Sequence, residues 1–370
     1  MKKVDFDNEF KNPGSEYRSI PFWAWNDELD TDEIRRQIRE MKSCGIGGFF
    51  IHSRDGLETE YLSDKWFECV SAAVDEAKKS GMFSWLYDED RWPSGTCGGS
   101  ITATDKNGCK GLTLEVCFSV PEKIEGNVLV LYKAEVHEME IYSLERICNA
   151  DGLILSDKEA LLIARLEVSG KSEWFNNSAP PDNLSFDTVS DFINNTHKIY
   201  KKAVGSEFGK TIPGIFTDEP SLADRHASFN PNRSWIPWTE EFEKYFFEKR
   251  GYDVLDMIPY FYFNGEKSAK IRHDYWRTVS ERFKEAYSVQ IGDWCRENNL
   301  LFTGHFLQED KMGLSCRVNG SVMPHYAAED IQAIDMLTER TEEYITVKQC
   351  SSVSNQLGRG AVLSEMYGCT

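Results

Sequence analysis

Short apolar segments alternate with helix-like segments at nearly constant spacing, and this regularity constrains the fold more than any other feature of the chain. The strand-like segments start near residues 19, 47, 83, 300, 331 and 360. Consecutive starts within each half lie 28 to 36 residues apart. A barrel of eight strand-helix units in about 250 residues needs about 31 residues per unit. The spacing therefore predicts the α/β class, with parallel strands and crossover helices in a (β/α)8 TIM barrel.

Two of the intervening segments carry helix signals at both ends. The segment DTDEIRRQIREMKSCG has Asp30 at the cap position and Ile34 and Ile38 at helical spacing. The segment LSDKWFECVSAAVDEAKKSG opens with Ser63 and closes on Gly81. Side-chain oxygens at a helix start and glycine just past its end satisfy the unpaired backbone groups there. These segments are predicted to be amphipathic helices that cover a buried sheet.

The rhythm breaks after the third strand, between Gly95 and about Ser172. Runs at 111–120, 127–136 and 160–168 alternate apolar and polar residues, which is typical of antiparallel strands. We therefore predict a small antiparallel β insertion after strand three. The predicted organisation is a first part of the barrel in 1–99, the insertion in 100–175 and the remainder of the barrel, which is catalytic, in 176–370.

Seven strand-helix units account for the chain, so the expected barrel is truncated after its seventh strand. Strand four is TIPGIFTDEP (211–220) and strand seven is GAVLSEMYG (360–368). An open doubly wound sheet is the alternative architecture. No GxGxxG follows the first strand and no P-loop lysine motif is present, so the sequence favours the barrel.

Charge and composition narrow the possible partners. The formal net charge is −19 and the pI is about 4.9, so the chain repels phosphate backbones and anionic membrane surfaces. No apolar stretch reaches the roughly 18 residues that span a bilayer, and no apolar signal segment follows the first lysines. The ten cysteines form no CxxC pair. We expect a cytoplasmic protein without nucleic-acid or membrane partners, whose oligomeric state stays open.

Polar side chains close each of the seven predicted strands, at the end where a barrel of this class has its active site. Carboxylates converge there from five strands. Two tryptophans could stack on a sugar ring, and the other groups could bind hydroxyls. In strand order the candidates are Trp25 and Asn26, His52 and Arg54, Asp88, Asp90 and Trp92, Asp218 and Glu219, His305 and Asp310, Asp335, and Glu365 and Tyr367.

Glu219 and Glu365 are the candidate catalytic pair. They close strands four and seven, which face each other across a barrel mouth. One carboxyl group could protonate a leaving oxygen while the other acts as nucleophile or activates water. A glycosidic bond needs this pair of roles, with one carboxyl neutral and one ionised. The residues therefore indicate a glycoside or oligosaccharide substrate.

Several segments together resemble a known family. PFWAWN, GIGGFFIHSRDGL, WLYDEDRWPSG, FTDEP and LSEMYG are similar to bacterial barrel proteins related to the α-L-rhamnosidases of glycoside hydrolase family 106, and more distantly to clan A glycosidases. The resemblance implies an exo-acting glycosidase with Glu219 as acid and Glu365 as second carboxylate, the general base if the enzyme inverts. It also implies Ca²⁺, although the residues themselves require no cofactor and match no known calcium loop. Asp218 stands where clan A enzymes usually carry asparagine.

Other readings stay open. Glu219 could cap a helix, Glu365 could pair with Arg54, and the remaining polar groups could stabilise turns or loops. The whole chain could be a non-catalytic carbohydrate-binding barrel. It could also be a metal-dependent hydrolase that uses His52, His305 and Asp335, although no HxH or HExxH spacing is present.

Overall fold

A computed structural model describes residues 6–222, 235–337 and 343–367. The strands are β1 (Phe22–Trp25), β2 (Gly48–Ser53), β3 (Phe83–Tyr87), β4 (Lys110–Cys117), β5 (Val128–His137), β6 (Glu140–Ile147), β7 (Glu159–Val168), β8 (Gly214–Asp218), β9 (Ile236–Trp238), β10 (Leu301–His305), β11 (Ile331–Met336) and β12 (Val362–Met366). The helices are α1 (Phe6–Lys11), α2 (Thr31–Ser43), α3 (Asp64–Ser80), α4 (Phe186–Asn195), α5 (His197–Val204), α6 (Phe242–Arg250), α7 (Pro259–Tyr262), α8 (Ser268–Phe283), α9 (Gln290–Glu297), α10 (Met312–Asn319), α11 (Val322–Tyr326) and α12 (Ile345–Gln356).

The main sheet has seven parallel strands in the order β1-β2-β3-β8-β10-β11-β12. The sheet is strongly curled. The ring of Phe22 on β1 lies 5.0 Å from the ring of Phe216 on β8, although three strand spacings, about 14 Å in a flat sheet, separate these strands. Curling brings the side chains of one face together. The buried residues of this interior cluster are Phe50, Trp85, Tyr87, Phe216 and Ala333.

The opposite face of the sheet packs against helices. Trp25 of β1 contacts Trp66 of α3 with ring centroids 5.1 Å apart, and α2 buries Ile34 and Ile38. The predicted caps are confirmed, because the Asp30 carboxylate accepts the N–H groups of the first turn of α2. Likewise, α3 ends at Gly81 with φ 63°. The helices therefore begin and end where the sequence signals place them, and their apolar stripes cover the sheet.

A second, antiparallel sheet has the strand order β6-β5-β7-β4-β9. The three predicted strands of the insertion are present as β4, β5 and β7. The sequence did not predict β6, whose polar residues form the sheet edge, or β9, a three-residue strand that contains Pro237. β9 lies beyond 176 in the sequence yet pairs with β4. Gly111 permits this, because a Cβ there would lie 1.8 Å from the Trp235 ring.

Other differences lie at element ends. The fifth predicted strand (300–310) stops at His305, so the residues that follow form a loop. The helical segment between 185 and 209 is divided at Thr196 into α4 and α5. The long helix after residue 268 contains a π-helical stretch, Lys284–Val289, between α8 and α9. Among the helices of the described ranges, none is both long and apolar enough to cross a bilayer.

The interior cluster should dominate the stability of the main sheet. We expect Phe216→Ala to lower the free energy of unfolding by about 3–5 kcal/mol, because it removes a fully buried ring and leaves a cavity. Phe247→Ala is the matched control, since that ring on α6 is 56% exposed, and its cost should stay within about 0.5 kcal/mol. Urea unfolding followed by circular dichroism measures both. Equal losses in the two variants would contradict the assigned interior.

Candidate active site

His305 stands at the centre of the polar groups that close the parallel strands. Its imidazole ends β10 and is 1% exposed. Nε2 lies 3.0 Å from Oδ1 of Asp218, the last residue of β8. Nδ1 lies 3.7 Å from Oε2 of Glu365 on β12. One imidazole therefore lies between the carboxylates of the predicted strands four and seven.

Two groups contact the carboxylate of Asp218, and a third contacts its backbone. Besides His305, the hydroxyl of Tyr87 donates to Oδ2 over 2.6 Å. The backbone N–H of Asp218 donates to the Ser94 hydroxyl oxygen over 2.8 Å, and that hydroxyl donates to Asp88 over 2.5 Å. Asp88 is fully buried, and burial raises its pKa. Asp88 thus supports Asp218 from behind through Ser94.

The pKa shifts of Asp218 and His305 both favour a charged pair. Burial alone would raise the pKa of Asp218, but the charge and hydrogen bond of His305 and the Tyr87 hydroxyl hold it below its usual range. Burial alone would lower the pKa of His305, but Asp218, together with Glu365, raises it well above its ordinary value. Ionised partners in a water-poor site attract each other strongly and are costly to separate.

Glu219 reaches the same pocket because its backbone is left-handed. Consecutive residues of a strand point to opposite faces, so Asp218 and Glu219 should diverge. Glu219 has φ 44°, which breaks this alternation. Ligand atoms of Glu219, His305 and Asp335 all lie within 4.8 Å of one another. Its N–H also donates to the His305 carbonyl oxygen over 3.1 Å. Sparsely populated backbone conformations of this kind cluster at functional sites.

The pKa of the Glu365 carboxyl group is raised above its ordinary value. Burial raises its pKa to about 7, the carboxylates of Asp218, Asp335 and Glu219 act in the same direction, and the charge of His305 opposes them. Its side chain is 19% exposed, so the carboxyl group still meets solvent. A group with this pKa can take up or release a proton at physiological pH. The alternative partner Arg54 makes no ion pair with it among the described residues.

The structure gathers five of the predicted site residues in one pocket: Asp218, Glu219, His305, Asp335 and Glu365. His52 lies next to them, with its ring centroid 4.1 Å from that of Tyr87. Burial lowers the pKa of His52 to about 4, and in the described part of the chain its Nε2 has no hydrogen-bond partner. His52 is therefore a neutral residue beside the charged groups.

The remaining candidates lie elsewhere. Trp25 is 2% exposed and packs on the helix side of the sheet, where its ring offers no face to a ligand. Asn26 and Tyr367 are exposed just beyond β1 and β12, and Asp310 is half-buried in the loop after β10. Asp90 accepts hydrogen bonds from Ser53 and Asn176. These bonds join the segments that follow β2 and β3 to the loop before α4, and these segments are called the rim below. The other two rim residues, in contact with each other, are Arg54 and Trp92.

Sequence reasoning missed several groups that shape the site. Tyr87 could have been found by strand alternation, since it shares the inward face of β3 with Trp85. Glu309 directly precedes the candidate Asp310, but nothing in the sequence separates it from the other polar residues after β10. It is buried, accepts the Tyr326 hydroxyl over 2.6 Å and the Asp335 N–H over 2.7 Å, and burial raises its pKa to about 7. It positions the backbone of Asp335 behind the pocket.

Glu89 has a structural role that its position at a strand end did not reveal. Its carboxylate accepts the backbone N–H groups of the glycine-rich turn that follows β3. The donors are Asp90, Gly95, Thr96, Cys97 and Gly98. A carboxylate enclosed by so many N–H groups organises a loop and is not available to a substrate.

Glu219, His305 and Asp335 are also the residues that could hold a metal ion. In the described structure His305 Nδ1 has no hydrogen-bond partner, while its Nε2 faces Asp218. A carboxylate that orients the far nitrogen of a metal-binding histidine is a common arrangement. Two carboxylates and one imidazole suit a transition metal, whereas Ca²⁺ takes six to eight oxygen ligands. The donors do not fit the calcium implied by the resemblance, and His52 is not among them.

The chain is similar to a curated protein in sequence and to solved structures in fold. No family model matches the chain. The chain is 19% identical over 365 residues to a Formosa agariphila protein named "Putative beta-glucuronidase", with 81% of this chain and 30% of that protein covered. The chain therefore spans about a third of the length of that curated relative.

Among solved structures, a rhamnosidase from Novosphingobium sp. PP1Y superimposes with a TM-score of 0.67 at 13% identity, over 98% of this chain and 53% of that one. A Halorubrum lacusprofundi beta-galactosidase gives a TM-score of 0.42 at 12% identity, over 88% and 42%. The resemblance to a rhamnosidase is thus confirmed for the fold, and membership of family 106 stays a prediction.

The charged state of His305 can be measured directly. We expect His305 to remain an imidazolium through neutral pH, while His52 stays neutral down to about pH 4. NMR of the protein with isotope-labelled histidine reports both, with His305→Gln and His52→Asn assigning the signals. A His305 signal that titrates at or below the ordinary value of about 6.5 would refute the ion pair.

The same pair predicts how stability depends on pH. Because the folded pKa of His305 is raised, its stabilising charge is fully present below about pH 6.5 and lost as pH rises through the folded pKa. Because the pKa of Asp218 is lowered, its contribution is lost as pH falls through that pKa. The excess stability of wild type over His305→Gln should be greatest between about pH 4 and 6.5 and shrink above it. Urea unfolding across pH tests this, and a constant difference would count against it.

Proposed function

We propose that this chain is the catalytic barrel region of a glycoside hydrolase that removes a terminal sugar, with α-L-rhamnosides the first substrates to test. The observation that carries the proposal is that Glu219 and Glu365 flank one imidazole at the carboxyl ends of parallel strands. The names of the relatives, a rhamnosidase and a protein called a beta-glucuronidase, support the same reaction class. The curled sheet is then the greater part of a (β/α)8 barrel.

The two carboxyl groups divide the chemistry. In the role that the sequence resemblance suggests, Glu219 protonates the leaving oxygen and Glu365 acts as base toward water. The charge of His305 favours the ionised form of Glu365, which a base or a nucleophile requires. The pKa of about 7 lets Glu365 hold the proton it removes and release it before the next turnover. Carboxyl groups about 5 Å apart give retention, and about 6.5–9.5 Å give inversion.

Substitution of either carboxylate tests the proposal. We expect Glu219→Gln and Glu365→Gln each to lower kcat/KM at least about 10³-fold, because proton transfer or nucleophilic attack is lost. A panel of 4-nitrophenyl glycosides that includes α-L-rhamnoside and β-D-glucuronide provides the assay. Glu297→Gln, an exposed glutamate at the end of α9, is the control. Wild-type rates in both site variants would remove the proposal.

A non-catalytic carbohydrate-binding barrel is the outcome if calorimetry detects sugar binding and chromatography detects no product. The first-formed anomer, identified by NMR, assigns retention or inversion if product does appear.

A metal-assisted hydrolase is the second candidate, because three potential ligands lie within 4.8 Å of one another. Elemental analysis of the purified protein decides between the two. In the metal case we expect about one transition-metal ion per chain, loss of that ion in Asp335→Asn, and loss of activity with a chelator. If the metal-free protein hydrolyses glycosides, the metal-assisted mechanism is excluded and the two-carboxylate mechanism remains.

A further inference from the structure

The rim of the pocket carries an arginine to which the described residues offer no acidic partner. Arg54 follows β2, is exposed, and among the described residues makes no ion pair or side-chain hydrogen bond. Its guanidinium lies 4.6 Å from the ring centroid of Trp92. In a chain with 61 acidic and 42 basic residues, carboxylates are plentiful, yet none in the described part of the chain neutralises Arg54.

A second arginine shows what an ordinary structural arginine does at this rim. Arg91 donates to Asp55 over 2.5 Å and to the side-chain oxygen of Asn176 over 2.5 Å. Asn176 in turn donates to Asp90, which also accepts the Ser53 hydroxyl. These bonds join the segments after β2, after β3 and before α4. Arg91 is therefore used to hold the rim together.

The same network fixes Arg54 in place. Its chain neighbours Ser53 and Asp55 are both tied into the hydrogen bonds of the rim. Trp92 packs edge-on against Trp174, with ring centroids 4.6 Å apart, so the ring below the guanidinium is itself supported. An arginine stacked on a held aromatic ring keeps its planar face and loses little freedom when it binds an anion.

Arg54 also lies within electrostatic reach of the pocket. Burial is the main cause of the lowered pKa of His52; the charge of Asp218 opposes it, and the charge of Arg54, two residues along the chain, adds to it. His52 contacts Tyr87, the hydroxyl donor to Asp218. Arg54 is therefore linked to the acidic groups at the strand ends through His52 and Tyr87.

We propose that Arg54, held on Trp92, binds an anionic substituent, a carboxylate or a sulfate ester, of the sugar that enters the acidic pocket. This inference rests on the proposed glycosidase function and names its substrate class. A planar guanidinium matches a carboxylate or a sulfate through paired N–H donors. The net charge of −19 does not exclude such a ligand, because charges beyond about 8 Å are largely screened at physiological ionic strength.

Binding of acidic and neutral sugars tests the proposal independently of catalysis. The probes are glucuronic acid, galacturonic acid and glucose 6-sulfate, compared by calorimetry with glucose and galactose. We expect wild-type protein to bind at least one acidic sugar about tenfold more tightly than its neutral counterpart, through charge-assisted hydrogen bonds. The uronates and the sulfated sugar reveal which anion is preferred. Added NaCl should reduce the preference.

Substitutions of Arg54 test whether the preference for acidic over neutral sugars depends on this residue. Arg54→Met keeps a stem that packs on Trp92 and should abolish the preference, whereas Arg54→Lys should retain part of it. Arg36→Met, on the exposed surface of α2, is the matched control and should bind as wild type. Equal affinity for acidic and neutral sugars, no binding of any acidic sugar, or an unchanged preference in Arg54→Met would each overturn the inference.

The two proposals fail separately. Arg54-dependent binding of acidic sugars without hydrolysis would contradict the glycosidase and leave the anion subsite intact. Hydrolysis that depends on Glu219 and Glu365, with no preference for acidic sugars, would support the glycosidase and contradict the anion subsite.

Discussion

The buried ion pair between Asp218 and His305 is the interaction on which the rest of the site depends. Both groups are almost fully buried, and they lie 3.0 Å apart. Removing one partner of such a pair leaves an uncompensated charge in a water-poor site and costs about 3–5 kcal/mol. The pair also sets the state of its neighbours, because the His305 charge opposes the protonation of Glu365. The hydroxyl of Tyr87 and the backbone contact to Ser94 hold the aspartate in position.

The curled sheet makes this pair possible. Parallel strands place all their carboxyl ends at one edge, and the curl of the sheet bends that edge into an arc. Apolar side chains such as Phe216 fill the concave side of the sheet. The polar groups therefore lie at the carboxyl ends of the strands. At Glu219 the left-handed backbone then breaks the alternation of the strand, so that two consecutive acids serve one pocket. The price of that conformation is backbone strain of about 1–3 kcal/mol.

The sequence predicted the parallel strands, the capped helices and the antiparallel insertion, because periodicity and caps are local signals. It also indicated Glu219 and Glu365, because residues at strand ends are placed by topology. Strand β9 was missed, since three residues with a proline carry no periodic signal. Trp25 was interpreted as a sugar-stacking residue, but strand alternation turns it toward α3. Glu309 was passed over, since its partner Tyr326 lies on a helix beyond it and only packing brings them together.

The sequence by itself determined which chemical groups stand at the strand ends, because hydrophobic periodicity fixes where each strand stops. Only the tertiary structure decided which of these groups share a pocket and which charge each one carries. Asp88 and Asp90 look alike in sequence, yet one supports Asp218 through Ser94 and the other holds the rim. The physical reason is that pKa values and contacts depend on burial and on neighbours from distant parts of the chain. Curvature of the sheet, which no local pattern encodes, selects those neighbours.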